Sequence, residues 1–339
     1  MCGARQFLIT GGTGFIGRHV VNRLVVQGAR VRVLCRRLEK AQRLFGDGVT
    51  LACGDLTDRP SVAAAVQGCD VVIHLGAAFQ FGREARRIIE ETNVRGTEHV
   101  LKAAERSGVG RFVHVSSSGV LEGRRALLTE RDFPGYVAQH EPYRRSKWLG
   151  ELAALQAARR GLPVTIASPT SPLGGGDEAP TPTGRIVRDY LRGRFPFSAR
   201  VGLNFVHVSE LADGIVAVAE RGRIGERYLL GHHNVWLQDF LETLAKITNR
   251  SAPRFVLPQP AITLAGAVGE AIGSERVCRE TSAHARRRQW FDFSKAANEL
   301  GWCARTPLEE IAGEAIRWFE GAATSNAGRV LTESNVAVS

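Results

Sequence analysis

A chain of 339 residues, 44% hydrophobic and 23% charged, is long enough for a nucleotide-sized domain plus a smaller part and has the balance of an ordinary folded protein. No apolar run reaches the roughly 18–20 residues that a bilayer crossing needs, and strand-like sequence begins right after Met1-Cys2-Gly3-Ala4-Arg5-Gln6, so no membrane span and no signal peptide are expected and a cytoplasmic location is. The net charge of +11 sits on arginine groups spread along the chain (Arg36-Arg37, Arg86-Arg87, Arg124-Arg125, Arg144-Arg145, Arg159-Arg160, Arg286-Arg287-Arg288) without a nucleic-acid motif, which predicts a solvated basic surface partly serving an anionic ligand and no nucleic-acid partner.

In chain order, residues 7–10 read as a strand, 15–26 as a helix and 30–35 as a second strand. Strands follow at 49–52, 71–75, 112–116 and 164–167, with helical patterns between most of them. Strands apolar on both faces that alternate with helices predict an α/β fold, a doubly wound parallel sheet of the Rossmann type. Pro169-Thr170-Ser171-Pro172-Leu173-Gly174-Gly175-Gly176 reads as a loop, and Pro180-Thr181-Pro182-Thr183-Gly184 leads into a helix. Strands at 204–208 and 227–230 then alternate with helices at 209–219 and 237–248, and a last helix lies near 308–319. The division expected is a dinucleotide-binding domain over 1–170 with a return around 203–235, a smaller α/β substrate-binding part over 171–202 and 236–321, and a flexible polar tail over 322–339. Six scattered cysteines form no C-x-x-C pair, so neither a disulfide framework nor a metal site is expected.

Thr10-Gly11-Gly12-Thr13-Gly14-Phe15-Ile16-Gly17 stands at the first strand–helix junction. Glycines there permit a tight turn and close backbone approach to a pyrophosphate, and the helix N-terminus offers free N–H groups. Gly11, Thr13, Gly14, Phe15, Ile16 and Gly17 are thus the candidate cradle. An NAD site commonly carries an acid at the end of the second strand, where this chain reads Cys35-Arg36-Arg37. Arg36 and Arg37 suit the 2′-phosphate of NADP, with NAD the alternative. Asp55, followed by Leu56 after the third strand, is placed to hold the adenine edge.

The strand at 112–116 runs into Ser116-Ser117-Ser118-Gly119, and Pro142 is suited to open a helix that carries Tyr143 and Lys147 on one face. A lysine beside a phenol lowers the phenol's pKa toward the working range. Ser118, with Ser117 the alternative serine, would hold a substrate oxygen while Tyr143 exchanges a proton with it and the cofactor carries the hydride. Phe79 and Phe81 either line an apolar substrate pocket or simply pack, and His207 reads as a structural histidine.

In this order the elements resemble the extended short-chain dehydrogenases/reductases over roughly residues 5–320. The similarity rests on residues 10–17, Asp55-Leu56, Leu75-Gly76-Ala77-Ala78, Asn93, residues 116–118, Tyr143-x-x-x-Lys147 and the Pro169 loop. The dihydroflavonol-reductase-like and hopanoid-associated sugar epimerase branches look most similar, the latter through residues 180–187, 203–208 and 291–296. The resemblance implies Ser118 as the catalytic serine, Tyr143 as acid/base, Lys147 as a ribose-holding lysine, and Asn93 as support for a proton relay. It also implies that Leu75, Ala77, Ala78, Pro169 and Ser171 flank the cofactor and that Thr170 meets the substrate. A homodimer through the helices around 84–106 and 142–160 is a further implication. Two departures stand out: Ser168 where relatives often have Asn, and Glu122-Gly123-Arg124-Arg125 where epimerases often show Tyr-Gly. Three functions follow: an NADP(H)-dependent oxidoreductase acting on a ketone or secondary alcohol, a sugar-nucleotide epimerase or dehydratase with retained NAD, and a non-catalytic dinucleotide-binding regulator. The Ser118, Tyr143 and Lys147 set speaks against the third, and Arg36-Arg37 favours the first.

Overall fold

Residues 4–79, 83–123, 125–137, 141–195, 197–271 and 289–334 are described by the computed structural model. The chain runs β1 (Gln6–Thr10), α1 (Phe15–Val26), β2 (Arg30–Cys35), α2 (Leu38–Phe45), β3 (Thr50–Cys53), α3 (Arg59–Val66), β4 (Val71–His74) and α4 (Arg83–Ile89). A π-helical turn, Glu90–Arg95, leads into α5 (Gly96–Arg106), then β5 (Arg111–Val115), α6 (Pro142–Arg159) and β6 (Val164–Pro169). Next come β7 (Ser171–Leu173), α7 (Pro182–Leu191), β8 (Ser198–Ala199), β9 (Gly202–His207), α8 (Val208–Arg221), β10 (Arg227–Leu230) and β11 (His233–Trp236). The last elements are α9 (Leu237–Thr248), β12 (Val256–Leu257), α10 (Gln259–Ala271), α11 (Ser294–Leu300) and α12 (Leu308–Ser334).

Strands such as β4 and β6 are buried along their whole length, so both faces must be covered by helices. They lie in a seven-stranded sheet of order β10-β6-β5-β4-β1-β2-β3, parallel throughout. Val20 and Leu24 of α1 and Leu211 and Ile215 of α8 cover one face. Val62, Val100 and Ala154, from α3, α5 and α6, cover the other. Strand order reverses at β1, whose neighbours are β2 and β4, and the crevice at the carboxyl end of such a switch point is where open α/β sheets bind ligands. A separate core joins α7, α9 and α12 to β9 through Val187, Phe205, Phe240 and Ile316.

Two expectations change. Ser171–Leu173 is a strand, because Pro172 pairs in parallel with Val206 of β9, a partner too distant for local turn signals to reveal. His233 opens β11 against Phe205. The last helix continues past residue 322 to Ser334; no proline interrupts that stretch. Among the described residues no helix is long and apolar enough to cross a membrane, and no His/Cys/Asp/Glu group could hold a metal ion.

The β1–α1 turn is closed on itself. A Cβ on Gly17 would lie 2.1 Å from the Gly11 carbonyl oxygen and 2.8 Å from Gly12 Cα, so Gly17 is required by the loop's own packing. Gly17→Ala is expected to lower stability by about 1–3 kcal/mol, the usual worth of overpacking, as a drop in Tm by calorimetry. An unchanged Tm would mean that the turn relaxes freely.

Candidate active site

Gly14 is the N-cap of α1, extended and without a side chain to bond the helix, and no acidic residue stands in the first turn. The first-turn N–H groups of Phe15, Ile16 and Gly17 therefore face the crevice without a side-chain acceptor, at the positive end of the helix dipole. Gly11, at φ +70°, is pressed against Gly76, whose nitrogen a Cβ would approach to 2.7 Å. Gly14 differs: it is exposed, and within 4 Å its Cβ would meet only the Gly11 oxygen, at 3.1 Å. A side chain there would fill open space outside the turn, the room a pyrophosphate needs, so the cradle fits a dinucleotide. The expectation that Gly17 also makes room for phosphate is corrected, because backbone occupies that space.

Arg36 and Arg37 are both exposed at the carboxyl end of β2, and Arg36 Nε lies 3.8 Å from Asp55 Oδ2. Asp55 accepts from the Thr57 N–H at 2.9 Å and the Thr57 hydroxyl at 2.8 Å. Against the upward push of burial, those bonds and the Arg36 charge hold its carboxyl below the usual range. Leu56 fills the gap between Gly76 and Gly96, where a Cβ would come within 2.7 and 2.9 Å of it. Beyond them Arg18 of α1 and Lys40 of α2 both reach Glu178, at 2.7 and 2.8 Å, a link the sequence does not signal.

The three serines after β5 have different roles. Ser116 Oγ donates to Glu151 Oε2 at 2.5 Å. Ser117 Oγ accepts from the Gly119 N–H at 3.1 Å and caps the short turn Ser118–Val120. Ser118 is buried in that turn and takes part in neither bond. Arg144 ties the turn to α6, its Nε donating to the Gly119 carbonyl at 2.9 Å and its Nη2 to the Val120 carbonyl at 3.2 Å. Expected on a solvated surface, Arg144 is instead buried, because Glu141 at 2.8 Å and Glu122 at 2.6 Å neutralise it. Glu122 is the residue that departs from the epimerase pattern.

Tyr143 and Lys147 share a face of α6, and the Phe79 ring stands edge-on to Tyr143 with centroids 4.4 Å apart. Phe81 lies outside the described residues. Lys147 Nζ donates to the Val115 carbonyl at 2.6 Å. Burial pushes the Tyr143 phenol up to about 12 and the Lys147 ammonium down to about 8, with Glu151 acting the other way on the lysine. The expected lowering of the phenol by the lysine is absent from this arrangement, since the ammonium is directed at Val115 and desolvation decides the phenol.

Asn93 sits in the π-helical turn, a distortion frequent at functional sites. Its Nδ2 donates to the Ala78 carbonyl and to Ser146 Oγ, both at 2.9 Å, and its Oδ1 accepts from the Ala78 N–H at 2.6 Å. The side chain thus clamps the Leu75–Ala78 segment to α6. A buried chain links it to the cradle. Gly76 N–H donates to Thr10 Oγ1, which contacts His74 Nδ1 at 2.7 Å. His74 Nε2 lies 2.9 Å from Thr97 Oγ1, which donates to the Asn93 carbonyl at 2.6 Å. Burial, then the Lys147 charge, hold His74 down to about 3.

The polar network under α6 escaped the sequence reading. Glu151 is fully buried and pairs with Arg227 of β10 as well as with Ser116. Its spacing from Lys147, the same four residues that separate Tyr143 from Lys147, is the signal that could have found it. Both ring nitrogens of His114 and the hydroxyl of Ser168 are buried without a hydrogen-bond partner among the described residues. Thr170 donates from its N–H and hydroxyl to the Leu230 carbonyl, at 2.9 and 3.3 Å, so its side chain anchors β10. Pro169 and Ser171 flank it, ending β6 and opening β7.

Comparison with known proteins agrees with this layout. The family model described as NAD dependent epimerase/dehydratase family matches residues 7–231. A putative dihydroflavonol 4-reductase of Synechocystis is 31% identical over 93% of this chain and 94% of its own length. The 4-hydroxy-2-methyl-3-oxo-4-farnesyl-3,4-dihydroquinoline-1-oxide ketoreductase of Stigmatella aurantiaca is 31% identical over 89% of this chain and 93% of its own. The crystal structure of a nucleoside-diphosphate-sugar epimerase from Pseudomonas aeruginosa superposes with a TM-score of 0.79 at 25% identity, covering 94% of this chain and 98% of that one.

The buried Lys147 makes the fold respond to pH. Its folded pKa of about 8 lies below the roughly 10.4 of a free lysine, so the unfolded chain binds the proton more tightly. The charge therefore costs stability in full below about pH 8, and the cost fades as pH rises toward 10. Lys147→Met is expected to raise Tm by a few degrees at pH 7 and by less at pH 10. Calorimetry giving equal or lower Tm at pH 7 would contradict this account of the lysine.

Proposed function

The chain belongs to the NAD-dependent epimerase/dehydratase family, and from that premise we propose an NADP(H)-dependent oxidoreductase that reduces a ketone, or oxidises a secondary alcohol in reverse, at Ser118, Tyr143 and Lys147. The observation that carries the reading is Tyr143 itself. Its phenol, pushed up to about 12, is protonated at neutral pH and stands against the apolar ring of Phe79. Such a group is poised to give a proton to an alkoxide, a far stronger base, rather than to take one. Ser118, anchored in its turn by Arg144, is the hydroxyl that would orient the carbonyl oxygen. A dinucleotide in the Gly11–Gly17 cradle would supply the hydride. Lys147 and Asn93 hold α6 and the Ala77-Ala78 segment around that place. The relative named as a ketoreductase supports this direction, and Phe79 beside the proton donor supports an apolar ketone.

Exposed Arg36 and Arg37 support NADP, since paired guanidiniums bind a 2′-phosphate through charge-assisted hydrogen bonds. The likeness to a nucleoside-diphosphate-sugar epimerase keeps a second reading, epimerisation with retained NAD. NADPH oxidation measured over a panel of apolar ketones and nucleotide sugars separates the two. Turnover with ketones and none with sugars is expected, and a purified protein carrying NAD that exchanges poorly would favour the epimerase.

Tyr143→Phe should leave cofactor affinity intact while turnover falls about 10²–10⁴-fold, the worth of a positioned acid; near-normal kcat would remove Tyr143 from the mechanism. Arg36→Ala with Arg37→Ala should weaken NADPH roughly tenfold to a hundredfold, from a loss of about 1.5–3 kcal/mol, and leave NADH little changed. Fluorescence titration reads both affinities, and equal losses for the two dinucleotides would refute the assignment of these arginines.

A further inference from the structure

We propose that Glu151 is a positioning residue of the site: a buried carboxylate, fixed by Ser116 and Arg227, that keeps the Lys147 side chain protonated. The proposal rests on the reading of Lys147 as part of the active centre and extends it inward. Glu151 is 0% exposed on α6, one turn beyond Lys147 and on the same face. Its two oxygens are held separately. Oε2 accepts from the Ser116 hydroxyl at 2.5 Å, and Oε1 pairs with the Arg227 guanidinium. Arg227 is itself fixed by the Glu130 carbonyl at 2.7 Å and by the Phe133 ring, 4.2 Å from its Cζ. The carboxylate therefore has no freedom to swing away from the helix.

A buried ammonium survives only with compensation. Its hydrogen bond among the described residues, to the Val115 carbonyl, supplies a dipole and not a charge. Around Lys147 stand Tyr143 and Glu151 on α6, His74 on β4, and His114 on β5. The two histidines are neutral, held down by burial and then by the lysine's own charge, and Asn93 of the π-helical turn is uncharged. Glu151 is thus the only anion among these neighbours, and its pull on Lys147 opposes the effect of burial. Facing Glu151 in turn are Ser116 of β5, Arg227 of β10 and Lys147. Burial raises its carboxyl, and Arg227, Ser116 and Lys147 act to lower it. Arg227 thereby secures the charge of Glu151, and Glu151 that of Lys147.

The chain has five lysines, Lys40, Lys102, Lys147, Lys246 and Lys295, so each side chain of ¹³C-lysine-labelled protein can be followed by NMR and the Lys147 signal assigned from its absence in K147M. In Glu151→Gln the Lys147 titration should move to lower pH by about one unit, the scale of a lost neighbouring charge. The alkaline limb of the kcat/KM profile should move with it, and Glu151→Asp should recover most of the shift. A folded E151Q protein with an unmoved Lys147 titration overturns the proposal, even if its Tm has fallen, because a merely structural glutamate would act that way. Should E151Q fail to fold, linkage supplies the converse test. In K147M the Glu151 carboxyl must bind its proton more readily, seen as a protonated-carboxyl infrared band persisting to higher pH, and an unchanged band is equally fatal. Neither spectrum needs a substrate. A shifted Lys147 in a protein that reduces no ketone would sink the reductase reading and leave this one standing.

Discussion

The hydrogen bond from the Lys147 ammonium to the Val115 carbonyl fixes α6 against the carboxyl end of β5, and the other groups take their places from that contact. Tyr143 lies one turn earlier on the same face. Arg144 beside it grips the turn that carries Ser118, and Ser146 receives the Asn93 amide. Successive helix residues point about 100° apart, so a slip of α6 by one position would break all of these contacts at once. The helix is therefore held by polar contacts at several points along one side, and apolar packing of Ala154 and Ala157 secures its far end.

Such an arrangement works against the rest of the fold. Over most of the sheet the buried residues are aliphatic, and folding gains from removing them from water. Under α6 the chain instead buries Lys147, Glu151 and Arg144 almost completely. Each ion costs several kcal/mol to desolvate unless it is paired. The pairing follows a pattern: Arg144 has Glu141 just before α6, and Arg227 has Glu151 on it. His114 and Ser168, whose buried polar side-chain atoms find no partner among the described residues, stand beside the same cluster. Concentrated conflict of this kind between stability and local arrangement is characteristic of working sites.

What the sequence made legible divides along physical lines. The bounds of α1, β2, β10 and α9 could be read directly, because period, caps and turn residues are local properties. The glycine turn, the serines and the Tyr143–Lys147 spacing were visible for the same reason. Contacts made across the fold were not. β7 exists because β9 offers an edge to it, and Arg144 is buried because Glu122, from another segment, folds over it. Neither fact has a local signature. Gly14 and Gly17 look alike as letters, and only the position of the Gly11 carbonyl separates the one that faces open space from the one that faces the backbone. Glu151 is the intermediate case, since its spacing was in plain view while its meaning needed Ser116 and Arg227 in place.

The two ends of the crevice are built from groups of different kind, and on the proposed reading that would separate recognition from chemistry. At the carboxyl end of β2 stand Arg36 and Arg37, exposed charges on a mobile type of side chain. Arg18 and Lys40 nearby are already engaged by Glu178, so the arginines carry the positive field there. Under α6 the side chains of Lys147 and Glu151 are almost wholly out of reach of solvent. Ions in water screen exposed charges over about 10 Å at 0.1 M salt and buried ones far less. Affinity for the phosphate-bearing dinucleotide should therefore weaken as salt is added, while the proton affinities of Tyr143 and Lys147 hold. On the proposed reading, discrimination between NADP and NAD would be a surface property, open to change by substitution at two positions. The Tyr143–Lys147 pair is tied to the register of α6 on β5 and would change only with the core beneath it.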